Sequence, residues 1–342
     1  MEAAEGARWE NGALLFRYAD RARDLTGVRV LASTFKDDLS LHDRIWELRR
    51  ERPPVQRVEY RFELTHRDGT RETVCDPANP HRAPGGFGES SVLEHPDYRP
   101  PDWFGLPADG GKWQSGDLPV RRLGTTLDIR VWSPGTETGR VLVAHDGPDY
   151  DRFGGLGHYT AAMVEAGRVP PYHLVLLPAG DRLEWYSADP AYSLALAGEI
   201  VPHLRAELGA DRVVGAGASL GALAMLHAQR RHPAGFAGLF LQSGSYFQPR
   251  HDSQESGFEH WARIIRFTSR TLKARRGPAV PVALTCGAGE ENLANNRDMA
   301  DALDDQGYAV TFAENPDAHT WVGWRDTFDP HLTGLLRRVW PD

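Results

Sequence analysis

Gly217-Ala218-Ser219-Leu220-Gly221 lies between the apolar run RVVGAG and a stretch of small and apolar residues that continues to His232 and Pro233. A serine flanked two places away on each side by glycine, at a strand-to-helix turn, is the GxSxG arrangement of a nucleophile. The turn must be sharp, so only small residues fit where strand and helix pass close. It lifts the Ser219 hydroxyl clear of the strand and places the Leu220 amide at a helix N-terminus, where it can donate to a developing oxyanion. A phosphate-cradling loop fits less well. After Gly215 and Gly217 the third glycine of a dinucleotide fingerprint is replaced by Leu220, and the next strand candidate, FAGLFLQSG, ends in Gln242-Ser243-Gly244 rather than in an acid. There is no Walker lysine.

A serine hydroxyl needs a base, and the base needs an orienting acid. Downstream, the strand candidate PVALTCG runs into AGEEN and the strand candidate YAVTFAEN runs into PDAHTWVGW. His319 is the only histidine between His260 and His331 and follows a strand, where such a base belongs. Glu290 and Glu291 are both candidate acids, one of them serving instead as a favourable charge at the start of the next helix. Asp317 is a third, two residues from His319 and awkwardly close. We assign Glu290. The order serine, acid, histidine is that of α/β-hydrolases.

Composition bounds the alternatives. With 342 residues, 41% hydrophobic and 25% charged, the chain has an ordinary globular make-up. A net charge of −8 with dispersed arginines argues against a nucleic-acid partner. The N-terminus lacks a basic and apolar signal segment, and no apolar run approaches the ~18 residues of a membrane span, so the expectation is a cytoplasmic protein without membrane contact. Cys75 and Cys286 form neither a disulfide framework nor a thiolate metal site, and the fourteen histidines show no HExxH. No metal or cofactor is expected. Nothing in the sequence fixes an oligomeric state.

Two textures divide the chain. RVEYRFEL (57–64) alternates apolar and charged residues as a half-buried antiparallel strand, followed by an Asp68-Gly69 turn and TRETVC. ALLFRY, GVRVLAS and LPVRRLG read as further strands of a small β-sandwich, and 76–117 reads as a long Pro/Gly-rich connection. We expect an N-terminal domain over 1–117. From 118 to 342, buried strands (TLDIRVW, RVLVAH, YHLVLLP, RVVGAG, FAGLFLQSG, PVALTCG, YAVTFAEN) alternate with helices near 157–167, 190–208, 219–231 and 292–306. That pattern predicts an α/β domain, a mostly parallel sheet flanked by helices, with its chemistry at the strand C-termini.

These residues resemble the enterochelin (enterobactin) esterase-type family, related more distantly to esterase D, feruloyl esterases and mycolyltransferases. GASLG around Ser219, QSGSYF, CGAGEENLANNRDMADAL around Glu290 and HTWVGW carry the resemblance. CDPANP, GGFGESSVLEHPDYRPPDW, HDGPDY and DRLEWYSADPAY extend it over nearly the whole chain. It implies an α/β-hydrolase preceded by an immunoglobulin-like sandwich that helps shape the substrate cleft. The implied activity is Ser-His-acid ester hydrolysis through an acyl-enzyme, on a catecholate siderophore trilactone, for iron release. Two departures stand out. Asp317-Ala318 replaces a usual Gly-Gly before the histidine, and some relatives work with a dyad. Where relatives place the second oxyanion amide, this chain has Pro148, which has no N–H. Gly147 or Asp149 must substitute, and Gly147 is assigned with Leu220. Arg182, Trp185 and Tyr246 are assigned to substrate binding, a cation and aromatic faces for an aryl ester or ferric siderophore. The alternatives are a feruloyl-type or other natural-product esterase, and a non-catalytic ligand-binding relative.

Overall fold

The computed structural model describes residues 5–86 and 88–341. Residues 1–4 of the acidic N-terminus and Phe87 of the GGFGE segment lie outside the described residues.

The chain divides into two compact units. The first comprises the residues up to Arg99 together with Gly287–Glu291 and Asn315–Gly323. It contains two antiparallel sheets. One has the order β1 (Arg8–Glu10), β2 (Ala13–Ala19), β6 (Ile45–Glu51), β5 (Ser40–His42). The other runs β4 (Lys36–Asp38), β3 (Leu25–Ala32), β7 (Arg57–His66), β10 (Ser90–Glu94), β9 (Arg82–Ala83), with β8 (Arg71–Val74) also paired to β7. One core cluster draws on both sheets, with Leu14, Phe16 and Trp46 from the first and Val28, Val30, Val58, Tyr60, Phe62 and Leu64 from the second. The strict alternation read in RVEYRFEL is the inward face of β7, and the two sheets together form a β-sandwich.

The second unit holds most of an eight-stranded sheet of order β11 (Lys112–Val120), β12 (Thr125–Ser133), β14 (His173–Leu176), β13 (Arg140–Ala144), β15 (Arg212–Ala218), β16 (Gly238–Gln242), β17 (Pro281–Gly287), β18 (Ala309–Asn315). The pairs from β14 through β17 are parallel, whereas β11/β12 and β12/β14 are antiparallel. Every residue of β16 is buried, as expected for a strand covered on both faces. This mostly parallel sheet with helices between its strands is the α/β-hydrolase layout, and a small antiparallel domain precedes it in the chain.

LPVRRLG, assigned from sequence to the sandwich, instead supplies the end of β11, which pairs along its whole length with β12. The expected boundary at 117/118 falls inside this strand, and the compact division falls between Arg99 and Pro100. The stretch read as irregular also contains β9, β10 and a short 3-10 turn at Asp102–Gly105, with Trp103 fully buried. Among the described residues, no helix is long and apolar enough to cross a membrane.

Candidate active site

The turn after β15 is strained. Ser219 has φ +56° and ψ −126°, a region that residues with a Cβ seldom occupy, and it caps the helix Leu220–Arg231. Its N–H donates to the Gln242 carbonyl at 2.9 Å, and its own carbonyl accepts from Ala222 and Leu223 at 3.1 and 3.2 Å. The flanking glycines have a steric reason. A Cβ on Gly217 would lie 2.5 Å from the carbonyl carbon and oxygen of Gly221, so the turn closes only because Gly217 carries no side chain, whereas a Cβ on Gly221 would meet the His145 Cβ at a tight 3.2 Å. The Leu220 amide sits at the helix start, among the N–H groups that no preceding carbonyl of the helix can satisfy.

Buried polar groups fix this turn from behind. His145 Nδ1 is 2.9 Å from the Gly221 carbonyl, and because a carbonyl only accepts, the proton is on Nδ1. Nε2 then accepts from the Tyr192 hydroxyl at 2.9 Å, and the ring stacks on Tyr186. Burial, with the nearby Arg182 charge adding to it, pushes the His145 pKa down to about 4, so the ring is neutral. In front, the Ser219 hydroxyl shares a 3.2 Å hydrogen bond with the Ser245 hydroxyl. The loop carrying Ser245 is pinned by the helix Leu293–Asp305 and its N-cap. Asn292 donates to the Ser243 carbonyl at 2.9 Å, and Asn296 both accepts from the Gly244 N–H at 2.8 Å and donates to its carbonyl at 3.0 Å. The sequence reading missed His145 and Ser245. Both follow strand ends next to motifs already singled out, which was the available signal.

The acid and base candidates come together. His319 Nδ1 donates to Glu290 Oε2 at 2.7 Å, and Glu290 Oε1 accepts the Gly287 N–H at 2.8 Å. The Glu290 side chain is 1% exposed, against 40% for His319, whereas Glu291 is exposed. A buried carboxylate with one oxygen on a backbone amide and the other on Nδ1 is the arrangement that orients an imidazole.

The assignments of Gly147 and Tyr246 need correction, and Arg182 and Trp185 have partners within the chain. The Gly147 N–H is donated to the Leu177 carbonyl at 2.8 Å, so it is not an available oxyanion donor, and the Asp149 N–H is likewise given to the Asp146 carbonyl. Gly147 is required for space, since a Cβ there would lie 2.4 Å from the Leu176 Cα. Arg182 is not an open cation. It grips both oxygens of buried Asp146 at 2.9 to 3.1 Å. Burial opposes the guanidinium charge, but the Asp146 charge and hydrogen bonds outweigh it and raise its pKa. Trp185 stacks on Tyr192 at 5.5 Å and 11°, packing its own loop. Tyr246 is fully buried, its hydroxyl has no hydrogen-bond partner among the described residues, and burial pushes the phenol far above its ordinary value. Among the described residues no cluster of His, Cys, Asp or Glu could hold a metal.

Residues 121–335 match the esterase family described as "Putative esterase". The chain belongs to this esterase family. A similar curated protein is Iron(III) enterobactin esterase from Escherichia coli (strain K12), 28% identical over 228 residues, covering 60% of this chain. The match spans only 56% of that relative's length. Among solved structures, the ferric enterobactin esterase of Salmonella typhimurium superposes with TM-score 0.77 at 19% identity, covering 97% of this chain and 95% of that one. The Shigella flexneri enterobactin esterase, determined in the presence of 2,3-di-hydroxy-N-benzoyl-glycine, gives 0.75 at 20% identity over 100% and 98%. A ferulic acid esterase gives 0.57 at 19% identity, covering 68% of this chain and all of that one. These likenesses show that the chain shares its fold with structures of enterobactin esterases and of a ferulic acid esterase.

Two outcomes test the local geometry. Gly217→Ala should destabilise the protein by about 1–3 kcal/mol, read from urea midpoints, because the added methyl meets backbone; a variant as stable as the parent would contradict the tight turn. His145 takes up its proton near pH 6.5 when unfolded but only near 4 when folded. Its neutrality therefore contributes full stability above pH 6.5, and about 3 kcal/mol is lost as the pH falls to about 4. The pH dependence of the urea midpoint over that window should be shallower in His145→Gln, and an unchanged slope would contradict the assignment.

Proposed function

We propose that the protein is a serine esterase in which Ser219 attacks the ester carbonyl, His319 takes and returns the proton, and Glu290 holds the imidazole. The observation that carries this reading is the strained Ser219 turn in a chain that belongs to an esterase family. The Glu290–His319 hydrogen bond and the chain order Ser, Glu, His support it. With Nδ1–H donated to Glu290, the imidazole is held in the tautomer whose Nε2 is the basic nitrogen. Attack by Ser219 Oγ on the acyl carbon would form a tetrahedral intermediate, with the Leu220 N–H donating to its oxyanion. Collapse expels the alcohol, protonated by His319, and leaves an acyl-serine. Water, deprotonated by the same imidazole, then releases the acid and restores the serine.

For the substrate we propose a catecholate siderophore trilactone of the enterobactin type, cleaved in the cytoplasm to weaken its hold on iron. The similarity to Iron(III) enterobactin esterase supports this, as does the correspondence over essentially the full chain to structures of enterobactin esterases.

Ser219→Ala and His319→Ala should each lower hydrolysis of p-nitrophenyl acetate by roughly 10³-fold or more, with a double variant little worse than either, because the pair acts in one step. Retention of a tenth of the parent rate by Ser219→Ala would overturn the nucleophile assignment. Glu290→Gln should slow the enzyme substantially and Glu291→Gln should not; insensitivity to both would point to a dyad. Mass spectrometry after incubation with ferric and iron-free enterobactin should show linear dihydroxybenzoyl-serine products at a kcat/KM well above that for methyl ferulate. The reverse preference would assign the enzyme to aryl esters instead.

A further inference from the structure

The β-sandwich unit contains more than its own strands. The loops Gly287–Glu291 and Asn315–Gly323, which carry Glu290 and His319, cluster with it rather than with the unit that holds Ser219. The contacts are specific. The Gln56 N–H, just before β7, donates to the Pro316 carbonyl at 2.7 Å. Next to it, the Arg57 guanidinium lies 3.5 Å from Asp317 Oδ2, with the two side chains only 3% and 6% exposed. The other Asp317 oxygen, Oδ1, accepts from the Ala318 N–H at 2.7 Å and from the Thr320 hydroxyl at 3.4 Å, the residues on either side of His319. The Asp317 carbonyl accepts the Gly289 N–H at 3.0 Å, and Asn315 accepts from Ala288 at 2.7 Å, which fastens the acid loop to the histidine loop.

Asp317 is therefore a bridge. One of its oxygens organises the backbone that presents His319, and the other faces a buried arginine on the sandwich. We propose that Arg57 is a positioning residue for His319, acting through Asp317, so that the loop presenting His319 is held by the N-terminal sandwich whatever the size of the ester. This rests on His319 being the catalytic base, as proposed above. Arg57 is itself fixed on several sides, with Glu59 at 3.3 Å, Glu94 at 3.4 Å and the Tyr98 ring at 5.4 Å. A buried guanidinium facing three carboxylates is costly to assemble, and a purely structural contact would serve as well with apolar groups.

The test uses the full-length protein and p-nitrophenyl acetate, a substrate too small to reach far from the reacting atoms. Arg57→Met should lower kcat by roughly 10- to 100-fold with KM within about twofold, since a misplacement of the base on the order of 1 Å has that effect. Arg57→Lys, which keeps the charge, should recover a large part of the loss. In a His319→Ala background Arg57→Met should change the residual rate by less than twofold, because the residue it positions is gone. Parent-like kcat in folded Arg57→Met, or an equal further loss in the His319→Ala background, would overturn the proposal. If Arg57→Met does not fold, Arg57→Gln keeps a polar group toward Asp317 and leaves the bonds of Asp317 to Ala318 and Thr320 intact; it should fold with kcat lowered by roughly 10-fold, and a parent-like rate in it would overturn the proposal equally. Undiminished activity in His319→Ala would instead defeat the underlying assignment of the base, so the two failures are distinguishable.

Discussion

The close passage of backbone at Gly217 and Gly221 is the constraint on which the rest of the site depends. With no side chain on Gly217, β15 can turn directly into its helix past the Gly221 carbonyl, and Ser219 between them sits at positive φ. A serine held there has little freedom. Its carbonyl begins the helix, its amide is tied to β16, and its hydroxyl projects at the start of a helix dipole. The cost of an unusual backbone conformation, about 1–3 kcal/mol, is carried by a turn whose every neighbour is packed or hydrogen-bonded.

Charges and polar groups near this turn are tied to one another. Asp146 and Arg182 neutralise each other across the ends of two adjacent parallel strands, β13 and β14, and His145 stays neutral between a carbonyl and a phenol. The Glu290–His319 pair differs in kind: its carboxylate is buried while its imidazole remains partly open, as a base that must exchange protons requires.

Much of this was legible in the sequence where the cause is local. The GxSxG turn, the buried parallel strands and the alternation in β7 are dictated by a few consecutive residues. Choosing between Glu290 and Glu291 was not, because both follow β17 and only the loop's path decides which side chain turns inward. Arg182, Trp185 and Tyr246 were legible as a cation and aromatics, but their partners lie on other strands and helices. Asp146 is 36 positions from Arg182 and meets it only because β13 and β14 are neighbours. The strand KWQSGDLPV shows no hydrophobic period; its conformation comes from register with β12 rather than from a buried face. Arg57 read as one charge of an alternating strand, and nothing in its vicinity announced a partner 260 positions away.

The central claim is that Ser219 is a nucleophile activated for acyl transfer. Its most direct test is covalent labelling with a fluorophosphonate, followed by intact-mass measurement and peptide mapping. The account predicts one phosphonyl adduct per chain, located on Ser219, complete within minutes in the parent protein and lost in His319→Ala on the same timescale. An adduct on another residue, or none at all in a protein that hydrolyses p-nitrophenyl acetate, would contradict it.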